Sequence, residues 1–275
     1  MSSPVTVTEI FPRSEKVLYD RPTLASVVCQ VEFPAILKIS TELPSAFQEL
    51  IRDDYPVLST RQEIPLLPSG LPPEIMEVVK RSFASQKANG YEFVSADSLW
   101  RVSLTNSSLA LITANYKRFE DFLAHFHKVI AALRHVYKPA FFPRVSLRYQ
   151  NVVQRTKLQI PVTTPWTDLL RPHIAGIMGT GVAEAVESLA GQAVIALGSY
   201  SAKVLVNVAL GEVVGTKEKV FVLDSYFHTT TGRVSNEDVA SVLQYFNQES
   251  ARFFRWCISD DLHRAMGPRP IDISD

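Results

Sequence analysis

Recognisable catalytic signatures are what this 275-residue chain has least of. It holds no His-Glu-x-x-His, no Cys-x-x-Cys, no Asp-x-Asp-x-Asp-Gly loop and no Gly-x-Ser-x-Gly elbow. Those are the patterns that usually betray zinc, calcium and serine-hydrolase sites, so no metal and no cofactor is expected. Glycine is scarce, with 11 residues, and its one cluster is Gly176, Gly179 and Gly181 in GIMGTGVAE. That spacing, G-x-x-G-x-G with neither a preceding strand nor a following Lys-Ser/Thr, fits a turn between helices better than a phosphate loop. The two cysteines, Cys29 and Cys257, sit far apart in apolar surroundings. They read as buried free thiols of a reducing compartment, with a disulfide between them as the alternative.

Net charge is absent too: Lys plus Arg and Asp plus Glu both number 28. Phosphate neutralisation supplies most of a nucleic-acid binder's affinity, so a dedicated binder carries a basic excess that this chain lacks. Long apolar runs are missing. The nearest, AVIALGSYSAKVLVNVAL, is interrupted by Ser199, Ser201, Lys203 and Asn207 and falls short of the ~18 uninterrupted apolar residues a membrane helix needs. The opening MSSPVTVTEIFPRSEKV has no apolar core of a secretory signal. A cytoplasmic protein with no membrane partner is the expectation.

What is present is a 46% apolar chain with well-marked periodicities, long enough to bury a sizeable core. PTLASVVCQVEF, from Pro22 to Phe33, reads as a central strand. Ser45 or Thr41 would cap a short helix, SAFQELIRDDY, and VLSTRQEIPLL continues as an extended segment. The run from Trp100 to Gln154 gives a hairpin broken at Asn106-Ser107-Ser108, then a long amphipathic helix with Phe119, Phe122, Phe126, Ile130 and Leu133 on one side. Pro139 and Pro143 stop that helix, and RVSLRYQNVVQ resumes strand alternation. Further on, QAVIALGSY, AKVLVNVALGEVV and KVFVLDSYFHTTT predict three strands. Ser235 and Asp238 open a second long helix that carries Val239, Val242, Leu243, Phe246, Phe253 and Phe254.

Meander followed by phenylalanine-lined helix occurs twice. The predicted fold is therefore α+β: two helix-on-antiparallel-sheet units, in the pattern of an internal duplication. Residues 1–20 read as an N-terminal arm, 21–157 as the first unit and 158–275 as the second, packed with the first as one globule.

Candidate binding residues fall in three places. Arg144, Arg148, Asn151 and Arg155 lie along or just beyond RVSLRYQN, and Arg148 in mid-strand calls for a carboxylate on a neighbouring strand. Asp224, Tyr226 and His228 alternate and so share one sheet face, where acid/base work is one reading and an ordinary solvated face the plainer one. Leu66, Leu67 and Leu71 belong to the proline-rich loop PLLPSGLPP, as a cap on the core or a contact for a partner. His125 and His127, two apart on the helix, cannot share a metal.

Several of these segments resemble a sporadically distributed family of uncharacterised prokaryotic proteins of about this length. The matching parts are the Pro22–Phe33 strand, the Y-x-x-F-x-x-F helix start at Tyr116, Phe119 and Phe122, and the L-R-Y-x-N strand at Leu147–Asn151. The aromatic C-terminal helix (Phe253, Phe254, Trp256) and the closing DDLHRAMGP are similar as well. The resemblance implies no set activity; its patchy distribution implies mobile or defence-type gene neighbourhoods. The reading that follows is a non-enzymatic component binding a protein partner, such as a neighbouring toxin, nuclease or sensor, or a second copy of itself. The alternatives are a nucleic-acid-binding or RNA-processing protein with Arg144, Arg148 and Arg155 as a basic track, and a small-molecule sensor with its pocket between the halves.

Overall fold

The computed structural model describes residues 10–59, 90–213, 215–230 and 232–270. Leu66, Leu67 and Leu71 of the proline-rich loop lie outside those residues. The described elements begin with β1 (Val17–Tyr19), β2 (Leu24–Glu32), α1 (Leu37–Thr41), α2 (Ser45–Ile51) and β3 (Val57–Ser59). They continue with β4 (Tyr91–Val94), β5 (Trp100–Leu104), β6 (Ser108–Thr113), α3 (Phe119–Tyr137) and β7 (Arg144–Val153). The short helices α4 (Trp166–Leu169) and α5 (Pro172–Ala175) precede β8 (Leu189–Ala196), β9 (Ala202–Glu212) and β10 (Lys219–Thr229). The chain closes with α6 (Val239–Cys257), α7 (Asp260–Ala265) and β11 (Pro268–Pro270).

The two long helices form where apolar residues recur every three or four positions. In α3, Phe119, Phe122, Phe126, Val129, Ile130 and Leu133 are buried. Glu120 and Asp121 in its first turn and Arg134 and His135 in its last complement the helix dipole. The helix stops at Lys138, which takes a left-handed φ of 48° just before Pro139. Ahead of α6, the Ser235 hydroxyl accepts the Asp238 N–H at 3.2 Å and donates to its carboxylate at 2.7 Å, which closes a turn. The helix itself starts at Val239 with Asp238 at the N-cap and no side-chain cap bond, so Ser235 is not the cap expected from the sequence. Arg134 ties the end of α3 to this turn through Asn236.

Nine strands form one antiparallel sheet in the order β3-β4-β5-β6-β2-β7-β10-β9-β8. The first half runs β2, then the meander β4-β5-β6, whose last strand returns to pair with β2, then the 19-residue α3. The second half runs β7, then the meander β8-β9-β10, whose last strand returns to pair with β7, then the 19-residue α6. β2 and β7 lie antiparallel at the centre and join the halves. The two halves share this strand–meander–helix order but are not equal: β3 extends the first half to five strands against four in the second, and α1, α2 and β3 stand between β2 and β4.

All the described helices that feed the core lie on one side. Inward residues of the strands, including Val27, Cys29, Val102, Leu109, Leu147, Val206 and Phe227, share a single core with Phe47, Phe126, Trp166, Phe246 and Phe253 from the helices. Both halves feed this core, so the molecule packs as one globule. The segment read as an arm is fastened from Phe11 onward. Phe11 is buried against Phe253 and Trp256, and β1 pairs with β11. The opposite sheet face carries two small apolar clusters, Val220 with Val222 and Val28 with Ala110 and Ile112, and a polar centre between them.

Candidate functional site

Strand register assembles the polar centre of the helix-free face. Ser26, Gln150, Asp224, Asn207 and Gln192 stand in one row across β2, β7, β10, β9 and β8. The adjoining row holds Val28, Arg148, Tyr226, Leu205 and Val194, and the next Gln30, Ser146, His228, Lys203 and Ala196. Period-two side-chain direction makes these rows face one way.

Arg148 has the carboxylate its position demanded. Its Nε and Nη2 donate to the two oxygens of Asp224, each at 2.6 Å. Asn207 Nδ2 donates to the same carboxylate at 3.1 Å, and Gln192 Nε2 donates to Asn207 Oδ1 at 2.8 Å. The pair is nearly dry, with side chains 7% and 3% exposed. Burial alone would lower the Arg148 pKa, but the charge and hydrogen bonds of Asp224 outweigh it and leave it raised. Asp224 is thus committed to Arg148, with no room for a role as a base toward His228. Tyr226 and His228 stack on each other, centroids 4.9 Å apart. Burial, with Arg144 and Lys203 nearby, holds His228 below the usual histidine range. The network ties four strands in register.

The other expected residues disperse. Arg144 is exposed and pairs with Glu32 at 3.6 Å. Asn151 points to the other face from Arg148 and accepts from the Thr23 hydroxyl at 2.9 Å. Arg155 is buried with its guanidinium over the Trp166 ring at 3.6 Å. The three arginines therefore make no continuous basic track. Each polar position of the L-R-Y-x-N strand has an internal partner, since Tyr149 donates its hydroxyl to Asn247 of α6 at 2.9 Å. His125 stacks on Trp100 and hydrogen-bonds Tyr55, whereas His127 is exposed. Among the described residues, no group of three or more His, Cys, Asp or Glu is placed to hold a metal, and no helix is long and apolar enough to cross a membrane.

Two surface features escaped sequence reasoning. The first is β8, the edge strand beyond Gln192. Its eight residues, LAGQAVIA, are nowhere fully buried, and Val194 is 58% exposed. No charge occurs between Glu187 and Lys203. Gly191 allows the close seat on β9, because a Cβ there would meet the Val208 side chain at 3.0 Å. β8 has none of the usual edge protections: no charge, no proline and an unbroken ladder to β9. The alternation was legible in the sequence; that this strand ends the sheet was not.

The second is a cleft of about 530 Å³ between residues 12–17 of the arm and the α5–α7 region. Arg171, His173, Arg255, Trp256 and His263 line it, together with Arg13 and Glu15 from the arm. These residues come from four separate segments, and no local spacing announces them.

No family model and no curated protein matches the chain. Among solved structures it is similar to the crystal structure of lombricine kinase, with 8% identity and a TM-score of 0.34 over 91% of this chain and 69% of that one. A likeness that slight carries no argument about fold or activity.

Proposed function

We propose that this protein works by binding, and that its binding element is the edge strand β8. The unprotected backbone of Leu189–Ala196 supports this reading: an exposed, uncharged eight-residue edge presents every second N–H and C=O outward as a template for another strand. The occupant is β8 of a second copy. Running antiparallel to itself, the strand meets no like charge, and Val194 meets its own neighbourhood across a two-fold axis. The two sheets then continue as one, with the halves of each copy held rigid by the central β2–β7 seam.

Such a contact is modest. An eight-residue strand pair buries less than the ~1,600 Å² of a standard interface, so a weak, concentration-dependent dimer is expected. Sedimentation velocity over a concentration series tests it. Wild type should pass from monomer to dimer, and Val194→Lys, which puts a charge into the uncharged edge of each copy, should stay monomeric with its melting temperature unchanged. A wild-type protein that remains monomeric at ~100 µM refutes the proposal.

A further inference from the structure

The cleft beside the arm joins two features suited to a ligand. One is a pair of aimed guanidinium groups. Arg171 Nε donates to the Ile258 carbonyl at 3.1 Å and its Nη2 to Asp260 at 3.2 Å. Arg255 Nη1 donates to the same carbonyl at 3.3 Å, and its Nη2 bonds the same carboxylate oxygen. One carbonyl and one carboxylate thus hold two arginines side by side, where electrostatics alone would push them apart. Hydrogen bonding from Arg255, with the nearby charges of Arg171 and Arg264, holds Asp260 below the usual carboxylate range, so it stays ionised as their anchor. Each guanidinium has five N–H donors and uses two in these bonds, leaving donors to spare.

The other feature is a ring platform. His173 lies on Trp256 with centroids 3.8 Å apart and planes 25° from parallel, and His173 itself is exposed. Its second face is therefore open to a third ring. Burial is the main cause holding His173 and His263 below the usual histidine range, so both rings are neutral near pH 7 and suited to stacking. His263 is further fixed by the Tyr19 hydroxyl at 2.9 Å from its Nδ1.

We infer that this cleft binds a nucleoside monophosphate, its phosphate on Arg171 and Arg255 and its base stacked on His173. Paired guanidinium forks match the geometry of a phosphate, and every nucleobase offers a π face to an aromatic platform. The cleft's volume of about 530 Å³ falls within the range of small-molecule sites. The site lies away from β8 and stands whether or not the protein dimerises.

Isothermal titration of the full chain with AMP, GMP, CMP and UMP tests the inference, with adenosine and inorganic phosphate as the separate halves. At least one monophosphate should bind in the micromolar range, and both halves about tenfold or more weaker, one decade being about 1.4 kcal/mol. Arg255→Gln should weaken the monophosphate about tenfold or more. His173→Ala, at an exposed position and with its melting temperature checked against wild type, should weaken it while leaving phosphate unchanged. The inference is overturned if no monophosphate binds at millimolar concentration, if phosphate alone binds as tightly, or if His173→Ala and Arg255→Gln both bind like wild type.

Discussion

Removing the Asp224 carboxylate gives the sharpest measure of what the helix-free face contributes. In Asp224→Ala, Arg148 loses two 2.6 Å charge-assisted bonds and Asn207 loses an acceptor. The guanidinium is left in a site where its side chain is 7% exposed, so water cannot replace the carboxylate. Breaking a buried pair from one side costs about 3–5 kcal/mol. That is about a fifth or more of the ~5–15 kcal/mol stability of an ordinary domain, and for a chain this long it corresponds to a fall in melting temperature of roughly 10 °C. The companion variant Arg148→Met/Asp224→Leu removes both charges and fills the space with apolar atoms, so it should recover most of the loss. Urea unfolding, read as a midpoint shift at constant slope, gives both numbers. The reasoning fails if Asp224→Ala costs under ~1 kcal/mol, or if the double variant is no more stable than the single.

Two further outcomes follow from the core and from the histidines. Phe122, 1% exposed and packed against Trp100 and Tyr116, should cost about 3–5 kcal/mol when truncated to Ala; an unchanged urea midpoint would mean that α3 does not pack as described. His125, His173, His228 and His263 are all held below their ordinary value of 6.5, chiefly by burial, so the unfolded chain binds protons that the folded one refuses. Stability should then be level above about pH 6.5 and decline as the pH falls below it, before the carboxylates titrate. A melting temperature that holds steady or rises between pH 7 and 5 would contradict this.

The sequence made the elements legible wherever one face is buried. Alternation in WRVSL and SLALIT and the three-to-four spacing of phenylalanines in α3 and α6 leave little choice of period. The partner of Arg148 was legible too, because a guanidinium in mid-strand needs a carboxylate and β10 supplied one at the right parity. Asn151 misled, since at the strand end its partner is Thr23 and it shares no face with Arg148. Strand order was not legible, because period two says which way a side chain points and nothing about which strand lies beside it. The β1–β11 pair was invisible for the same reason: two three-residue strands, one with two prolines, lie at opposite ends of the chain. The cleft depends on four segments meeting, and the edge character of β8 depends on no strand among the described residues pairing beyond it.

Amide hydrogen exchange along Leu189–Ala196, followed at low and high protein concentration, tests the binding role of β8 most directly. In a lone molecule every second N–H of the strand points to solvent without a partner and exchanges quickly. These amides should gain protection as concentration rises, the inward ones paired with β9 should stay protected throughout, and Val194→Lys should abolish the gain. If the outward amides exchange at free-chain rates at every concentration, β8 is an open edge that binds no second copy.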